Sequence, residues 1–385
     1  MILSSRSSII GSIIIVVIIF SGAISFVYMN SQYVPPDVAV VVRAPGFGDL
    51  SMADQVLTGI EELGGDMVVN FKYFTADNEA QAQTILEQLS ASRIYELIVV
   101  IGGELSNELQ TVAATYSYQK YAFIGGSVVA NNIFSVTFAQ HEAAFLAGVL
   151  AGVVSASNTN RSGTVGIIGS VSTDPTVIKL IAGFKQGFDY ANNSLNYSIT
   201  LLPAVYVGSY NDSDTAEELA KDMFDPEGDN ADIIFAPVRA SILGIRNAMV
   251  YANETWFCNI TNREPFIIAA EGNQDYIGLP DIETRAGTSW VLTSVVPRSD
   301  LAVYRVINAT LWGEFDKLQG ETLQYQMKNT TSFPMSSMDE IGVNLTDFEF
   351  NNRNWIPNEI LQIIQSLRYD IFYGIIEVSD TYPPP

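Results

Sequence analysis

Val38-Ala-Val-Val-Val-Arg43 opens the stretch that decides the fold. This β-branched run leads into a glycine-containing loop, Ala44-Pro-Gly-Phe-Gly-Asp-Leu50, and then into amphipathic Asp54–Leu63. A short continuous apolar run bounded by turn residues reads as a strand buried on both faces, and the spacing after it as a helix packed on the sheet. The unit then repeats. Met67–Phe74 and Glu96–Ile101 predict strands, with a helix over Glu79–Ser90 between them and Gly102-Gly103 ending the second. Tyr121–Ile124 and Ile133–Phe138 predict further strands, and His141–Ser155 a long helix rich in small residues. The series restarts with strands over Thr164–Gly169, Leu201–Gly208, Asp232–Ala236 and Pro265–Ala270, and helices over Thr176–Tyr190, Thr215–Met223 and Ser241–Tyr251. Regular β-α alternation places the chain in the α/β class, with parallel sheets covered by helices on both faces.

Two such series imply two doubly wound lobes with a cleft between them. Ligands of such sheets sit beyond the carboxyl ends of the strands. The loops after Arg43, Ile101, Ile124, Gly208, Ala236 and Ala270 are therefore the candidate site. The expected division is 1–36 as membrane segment and tether, 37–140 plus about 268–298 as the first lobe, and 141–267 plus about 299–380 as the second. Residues 312–350 are polar, carry two glycosylation sequons and predict a decorated loop; Ile356–Arg368 predicts a helix and Ile371–Val378 a closing strand.

Composition removes several functions. The chain has 385 residues, with 19 Lys+Arg against 42 Asp+Glu, a formal net charge of −23. A phosphate backbone would be repelled, so no nucleic acid polymer is expected as partner. One Cys (Cys258) excludes an intramolecular disulfide, and with one His (His141) it cannot furnish a usual structural zinc site. No cofactor is expected. A hydrophobic content of 48% supplies two cores of ordinary size.

Ile9–Tyr28 carries no charge. As a helix it would be about 30 Å long, the thickness of a bilayer core, and Arg6 on its amino side places the N-terminus in the cytoplasm. It reads as a transmembrane anchor, with Ser21-Gly22-Ala23 as the cleavage site if it is instead a signal peptide. No Cys follows it for lipid attachment. Asn-x-Ser/Thr sequons begin at Asn160, Asn192, Asn196, Asn211, Asn253, Asn259, Asn308, Asn329 and Asn344. Chance matches in loops are one source of these; a glycosylated outer surface, as on an archaeal cell, is the other.

Ser135-Val-Thr-Phe-Ala-Gln-His-Glu-Ala-Ala-Phe-Leu-Ala-Gly148 resembles the central segment of the basic membrane protein family, the PnrA-like purine-nucleoside-binding lipoproteins that serve ABC transporters. Four more segments match in order: Gly48-Asp-Leu-Ser-Met-Ala-Asp54, Tyr206-Val-Gly-Ser-Tyr-Asn-Asp212, Val291–Tyr304 and Tyr369–Val378. The resemblance covers about residues 38–311 and 355–380. It implies a type I periplasmic-binding-protein fold, two Rossmann-like lobes joined by three crossovers, and an ABC permease as partner.

What the resemblance implies for the site is partly altered in this chain. Met52 stands where the family has an aromatic that sandwiches the base, and Ala53 follows it. Family acids fall at Ala44 and Gly125. Glu271, in Ala269-Ala-Glu-Gly-Asn-Gln274, replaces an Asp; the ribose-contacting Lys falls near Pro297, beside Arg298. Arg239, in Pro237-Val-Arg-Ala240, takes the place of a glycine. A nucleoside site needs a flat aromatic and carboxylate acceptors. The candidate ligand residues are therefore Phe47, Asp49, Met52, Gly125, Glu142, Tyr210, Arg239, Glu271 and Asn273. Two lost acids and a gained arginine predict a less anionic cleft, suited to a ligand with its own negative group.

Blander roles compete. Gly46-Phe-Gly48 lacks the rest of a dinucleotide fingerprint, and Gly102-Gly103-Glu104 reads as a loop entering a helix rather than a phosphate cradle. His141 beside Glu142 suits a structural position near the hinge better than an acid–base pair, and Cys258 an exposed loop. Asp49 and Glu271 could instead serve helix macrodipoles. The leading expectation is an extracytoplasmic binding protein for a nucleoside-like small molecule. The alternatives are a surface receptor of the same fold and, more weakly, a nucleoside-cleaving enzyme.

Overall fold

The computed structural model describes residues 36–66, 68–348, 350 and 355–384, which form two sheets, each covered by helices. The apolar segment Ile9–Tyr28 lies outside the described residues, among which no helix is long and apolar enough to cross a membrane.

In the first sheet, β1 (Asp37–Arg43) lies between β2 (Asn70–Ala76) and β3 (Tyr95–Ile101). β4 (Tyr121–Ile124) and β5 (Ile133–Phe138) extend it, and β12 (Thr322–Tyr325) closes the far edge; every pairing is parallel. The alternation of strand side chains accounts for the apolar run in β1. Val38, Val40 and Val42 pack with Val56, Ile60 and Leu63 of α1 (Met52–Asp66) and with Val303 and Ile307 of α8 (Ser299–Leu311). Ala39 and Val41 face Leu86 of α2 (Glu79–Ser92) and Leu109 of α3 (Ser106–Thr115). With both faces covered, no polar position is tolerated.

The second sheet runs β13–β11–β10–β9–β6–β7, with short β8 also against β6. Its strands are β6 (Thr164–Gly169), β7 (Thr200–Leu201), β8 (Val205–Tyr206), β9 (Ile233–Ala236), β10 (Phe266–Ala270), β11 (Val291–Pro297) and β13 (Val343–Leu345). Only β13 pairs antiparallel, with Val295 opposite Leu345. Helices α4 (Gln140–Ser155), α5 (Pro175–Asn193), α6 (Ser213–Phe224), α7 (Ile242–Ala252) and α9 (Asn358–Phe372) complete the fold.

The small residues of α4 have a packing purpose. A Cβ on Gly148 would lie 2.0 Å from the Phe184 carbonyl oxygen, one on Gly183 2.1 Å from that of His141, and one on Gly187 1.9 Å from that of Phe145. Helices α4 and α5 thus meet backbone to backbone, closer than side chains would permit.

Several expected boundaries need correction. Residues 268–298 do not join the first sheet: Ile267 of β10 pairs with Ile234 of β9 and with Val291 of β11, both in the second. Conversely α8, expected in the second lobe, lies on the first, where the Ser299 hydroxyl donates to the Met52 carbonyl at 3.0 Å. Residues 312–350 are not merely a decorated loop, since they supply β12 to one sheet and β13 to the other. The closing strand over Ile371–Val378 is absent; α9 runs to Phe372 and turns follow. Met67 lies outside the described residues, and its strand begins at Asn70. Among the described residues the chain passes between sheets three times: from β5 into α4, from β11 into α8, and between β12 and β13.

Candidate ligand-binding cleft

A cavity of about 560 Å³ opens between the two lobes at the carboxyl ends of their strands. The first lobe contributes the loops after β1, β3, β4 and β5; the second contributes those after β6, β8, β9 and β10. The lobes also touch at this level. Gln274, fully buried after β10, donates from Nε2 to the Leu50 carbonyl at 2.6 Å.

The wall from the second lobe is a connected polar chain. Asp174 caps α5, accepting from the Thr176 N–H at 2.7 Å, and its other oxygen accepts from the Tyr210 hydroxyl at 2.6 Å. Asp at the N-cap followed by Pro175 is the combination that favours a helix start. The Arg239 guanidinium sits over the Tyr210 ring, 4.3 Å from its centroid, and donates from Nε to Glu271 Oε2 at 2.8 Å. Both Arg239 (φ 50°) and Glu271 (φ 72°) adopt the left-handed backbone that side chains disfavour. Such strain collects where a loop must aim a side chain at a site. Burial by itself would lower the arginine pKa; Glu271, together with Glu104 and Asp49, reverses this and holds the guanidinium charged. Burial, reinforced by the bond to Asp174, raises the Tyr210 pKa and keeps its hydroxyl a donor.

The facing wall carries acceptors. Asp49 is buried, accepts from the Ser51 N–H at 3.0 Å, and has its pKa raised by burial against the opposing influence of that bond and of Arg239. Its loop is tied by Asp54, which accepts from the Gly48 and Leu50 N–H groups at 2.7 and 2.8 Å. Glu104 folds back over Gly102, where a Cβ would stand 2.5 Å from its Oε1. Gly125 has φ +91°, so its conformation calls for glycine, and a Cβ there would also displace the tip of Met52, whose Cε would lie 2.3 Å away. Gln140 Oε1 and Glu271 Oε1 are buried without a hydrogen-bond partner.

Of the residues expected from sequence, Asp49, Met52, Gly125, Tyr210, Arg239 and Glu271 line the cavity. Three do not. Phe47 packs edge-on against Tyr73, with ring centroids 5.5 Å apart. Glu142 points away and accepts from the Met327 and Lys328 N–H groups at 2.5 and 3.3 Å. Asn273 caps its own turn, accepting from the Asp275 N–H at 3.2 Å. Sequence reasoning missed Glu104, Gln140, Asp174 and Lys179. Asp174 had a signal, the Asp-Pro helix start after a strand; so had Glu104, in a loop singled out only as a possible cradle.

The expected charge of the cleft also changes. Arg43, Lys179 and Arg239 line it, but they pair with Glu79 at 3.3 Å, Asp380 at 2.9 Å and Glu271 at 2.8 Å. Asp49, Glu104 and Asp174 line it as well. Ala44 and Gly125 do lack acids, but Asp49, Glu104, Asp174 and Glu271 still line the cavity, so its cations do not outnumber its carboxylates. Among the described residues no group of three or more His, Cys, Asp or Glu is placed to hold a metal ion.

A family model described as Bmp, ABC transporter substrate-binding protein PnrA-like, matches residues 36–331. An uncharacterized lipoprotein of Pyrococcus furiosus is 30% identical over 178 residues, covering 46% of this chain and 44% of the relative. The chain thus spans less than half the length of the Pyrococcus relatives it matches. An ABC transporter nucleoside-binding protein of Lactococcus lactis is 23% identical over 304 residues, covering 76% of this chain and 79% of that protein. Among solved structures, a solute-binding protein of an ABC transporter system from Aeropyrum pernix aligns with TM-score 0.73 at 21% identity, covering 90% of this chain and 94% of that one. Another from Conexibacter woesei aligns with TM-score 0.65 at 16% identity, covering 90% and 99%. At these identities the structural likeness speaks for the fold.

Proposed function

Because this chain belongs to the PnrA-like family of ABC transporter substrate-binding proteins and has the two-lobed fold of type I periplasmic binding proteins, we propose that it captures a nucleoside-like small polar molecule between its lobes and delivers it to an ABC permease. The observation that carries this is the cavity itself. Its lining comes from strand ends of both lobes and combines hydrogen-bond acceptors with the Tyr210–Arg239 pair. Ribose hydroxyls and base N–H groups are donors, and Asp49, Glu104, Gln140 and Glu271 are the acceptors offered to them. Lobe closure would exclude water around the ligand, and the permease would recognise the closed form.

The family and its lipoprotein relatives support an extracytoplasmic, membrane-associated location. In this chain the apolar segment Ile9–Tyr28 would be the tether and the sequons the sites of a glycan coat. None of the nine sequon asparagines is fully buried, which is compatible with modification.

Calorimetric titration with nucleosides, sugars and amino acids tests the proposal. Saturable binding of nucleosides is expected, weakened by Asp49→Ala and by Tyr210→Ala without loss of the folded state. No saturable nucleoside binding would refute it, and normal binding by both variants would move the site elsewhere.

A further inference from the structure

We infer that Arg239 is a specificity residue that selects 6-oxopurine nucleosides over 6-aminopurine ones, an inference that rests on the nucleoside reading above. Two sides of the guanidinium are fixed, and one of its supports is itself anchored. Its Nε is committed to Glu271, one of its faces lies over the Tyr210 ring, and Tyr210 is held in turn by Asp174. No described residue hydrogen-bonds either of its terminal nitrogens, although Arg239 lines the cavity. The left-handed backbone at Arg239 sets the direction from which the side chain enters. The terminal N–H pair of this cavity-lining side chain is thus left without a partner among the described residues, while Nε and one face of the guanidinium are fixed.

A guanidinium so held matches two adjacent acceptors in a plane. A 6-oxopurine offers this edge through its carbonyl oxygen and neighbouring ring nitrogen, the pairing by which arginine reads guanine in nucleic acids. A 6-aminopurine instead turns an N–H donor towards these donors. The acceptor side of the cavity is compatible with this choice. Asp49 and Glu104 line it, and among the described residues neither is in an ion pair. A 6-oxopurine carries a ring N–H that such a carboxylate can accept, whereas a 6-aminopurine has a lone pair at that position. The carboxylates can accept from the amino group of a 6-aminopurine as well, so the preference for the oxo form rests on the Arg239 fork.

The test uses the full-length chain in mild detergent, titrated calorimetrically with inosine, guanosine and adenosine. Inosine and guanosine should bind at least about tenfold more tightly than adenosine, the scale of one bidentate pair. Arg239→Gln should bring the three ligands to within about threefold, by weakening the oxopurines, since one amide cannot present the fork. Arg239→Lys, which keeps a positive charge beside Glu271, should narrow the gap likewise and serves if the Gln variant does not fold. Equal affinities for inosine and adenosine in the native chain overturn the inference and leave nucleoside capture standing. So does a tenfold gap that persists in a folded Arg239 variant. Failure of all three nucleosides to bind overturns the nucleoside reading, and this inference with it.

Discussion

His141 is the sole histidine of the chain, so its titration can be followed without interference. It sits at the start of α4, where the chain first crosses between lobes, and its Nδ1 is buried without a hydrogen-bond partner among the described residues. Burial lowers its pKa from 6.5 to about 4; Asp380 pulls the other way, Lys179 adds to the lowering, and a hydrogen bond to the Val378 backbone opposes it. Between these two values the unfolded chain binds a proton that the folded chain refuses. The contribution of His141 to stability is therefore complete above the unfolded pKa and declines as pH falls towards the folded one. A shift of this size corresponds to about 3 kcal/mol when fully expressed, of which about 2 kcal/mol should be lost between pH 7 and pH 5. Buried carboxylates such as Asp49 and Glu142, whose pKa values are raised by burial, act in the opposite sense and must be subtracted. Urea unfolding of the native chain and of His141→Gln at both pH values makes that subtraction. The variant should lose about 2 kcal/mol less on acidification than the native chain. Imidazole NMR of the folded protein should place the pKa near 4. A value of 6 or above, or the same acid sensitivity in the variant, would refute the reasoning.

Two further outcomes follow from the packing. Glu142→Gln weakens two hydrogen bonds to the Met327–Lys328 backbone and should cost roughly 1–3 kcal/mol in urea unfolding, with ligand affinity unchanged in the same titrations because the residue does not line the cavity. Gly183→Ala forces a Cβ against the His141 carbonyl and should destabilise by about 1–3 kcal/mol; a variant as stable as the native chain would show that α4 and α5 separate more readily than their contact suggests.

Most strands and helices up to residue 311 were legible because their periodicity is local. Val38–Val42 alternates between two cores, and the pattern in sequence is the pattern in space. Sheet membership was not legible for β10 and β11. An apolar run such as Phe266–Ala270 satisfies burial equally well in either sheet, and only its pairing with Ile233–Ala236 decides. Within the site, the rule that ligands lie beyond strand ends brought Asp49, Tyr210, Arg239 and Glu271 together. The choice of Glu142, which came from the family resemblance, failed for a geometric reason. Successive helical residues are about 100° apart, so Glu142 points nearly opposite to Gln140, which does line the cavity. The state of Arg239 was also hidden, because neither Glu271 as its partner nor Tyr210 as its platform is near it in the chain.

The backbone contact between α4 and α5 bears on how a small displacement would travel. Helix α4 begins at the first crossover, and α5 begins at the cleft wall, where Asp174 grips Tyr210. At Gly148, Gly183 and Gly187 no side chain stands between the two backbones. Were the lobes to rotate about the crossover, α4 and α5 are packed to move together, carrying Asp174 and the cleft wall with them. A rotation at Ala139 would then be felt at the Tyr210–Arg239 platform, because Asp174 at the start of α5 holds Tyr210.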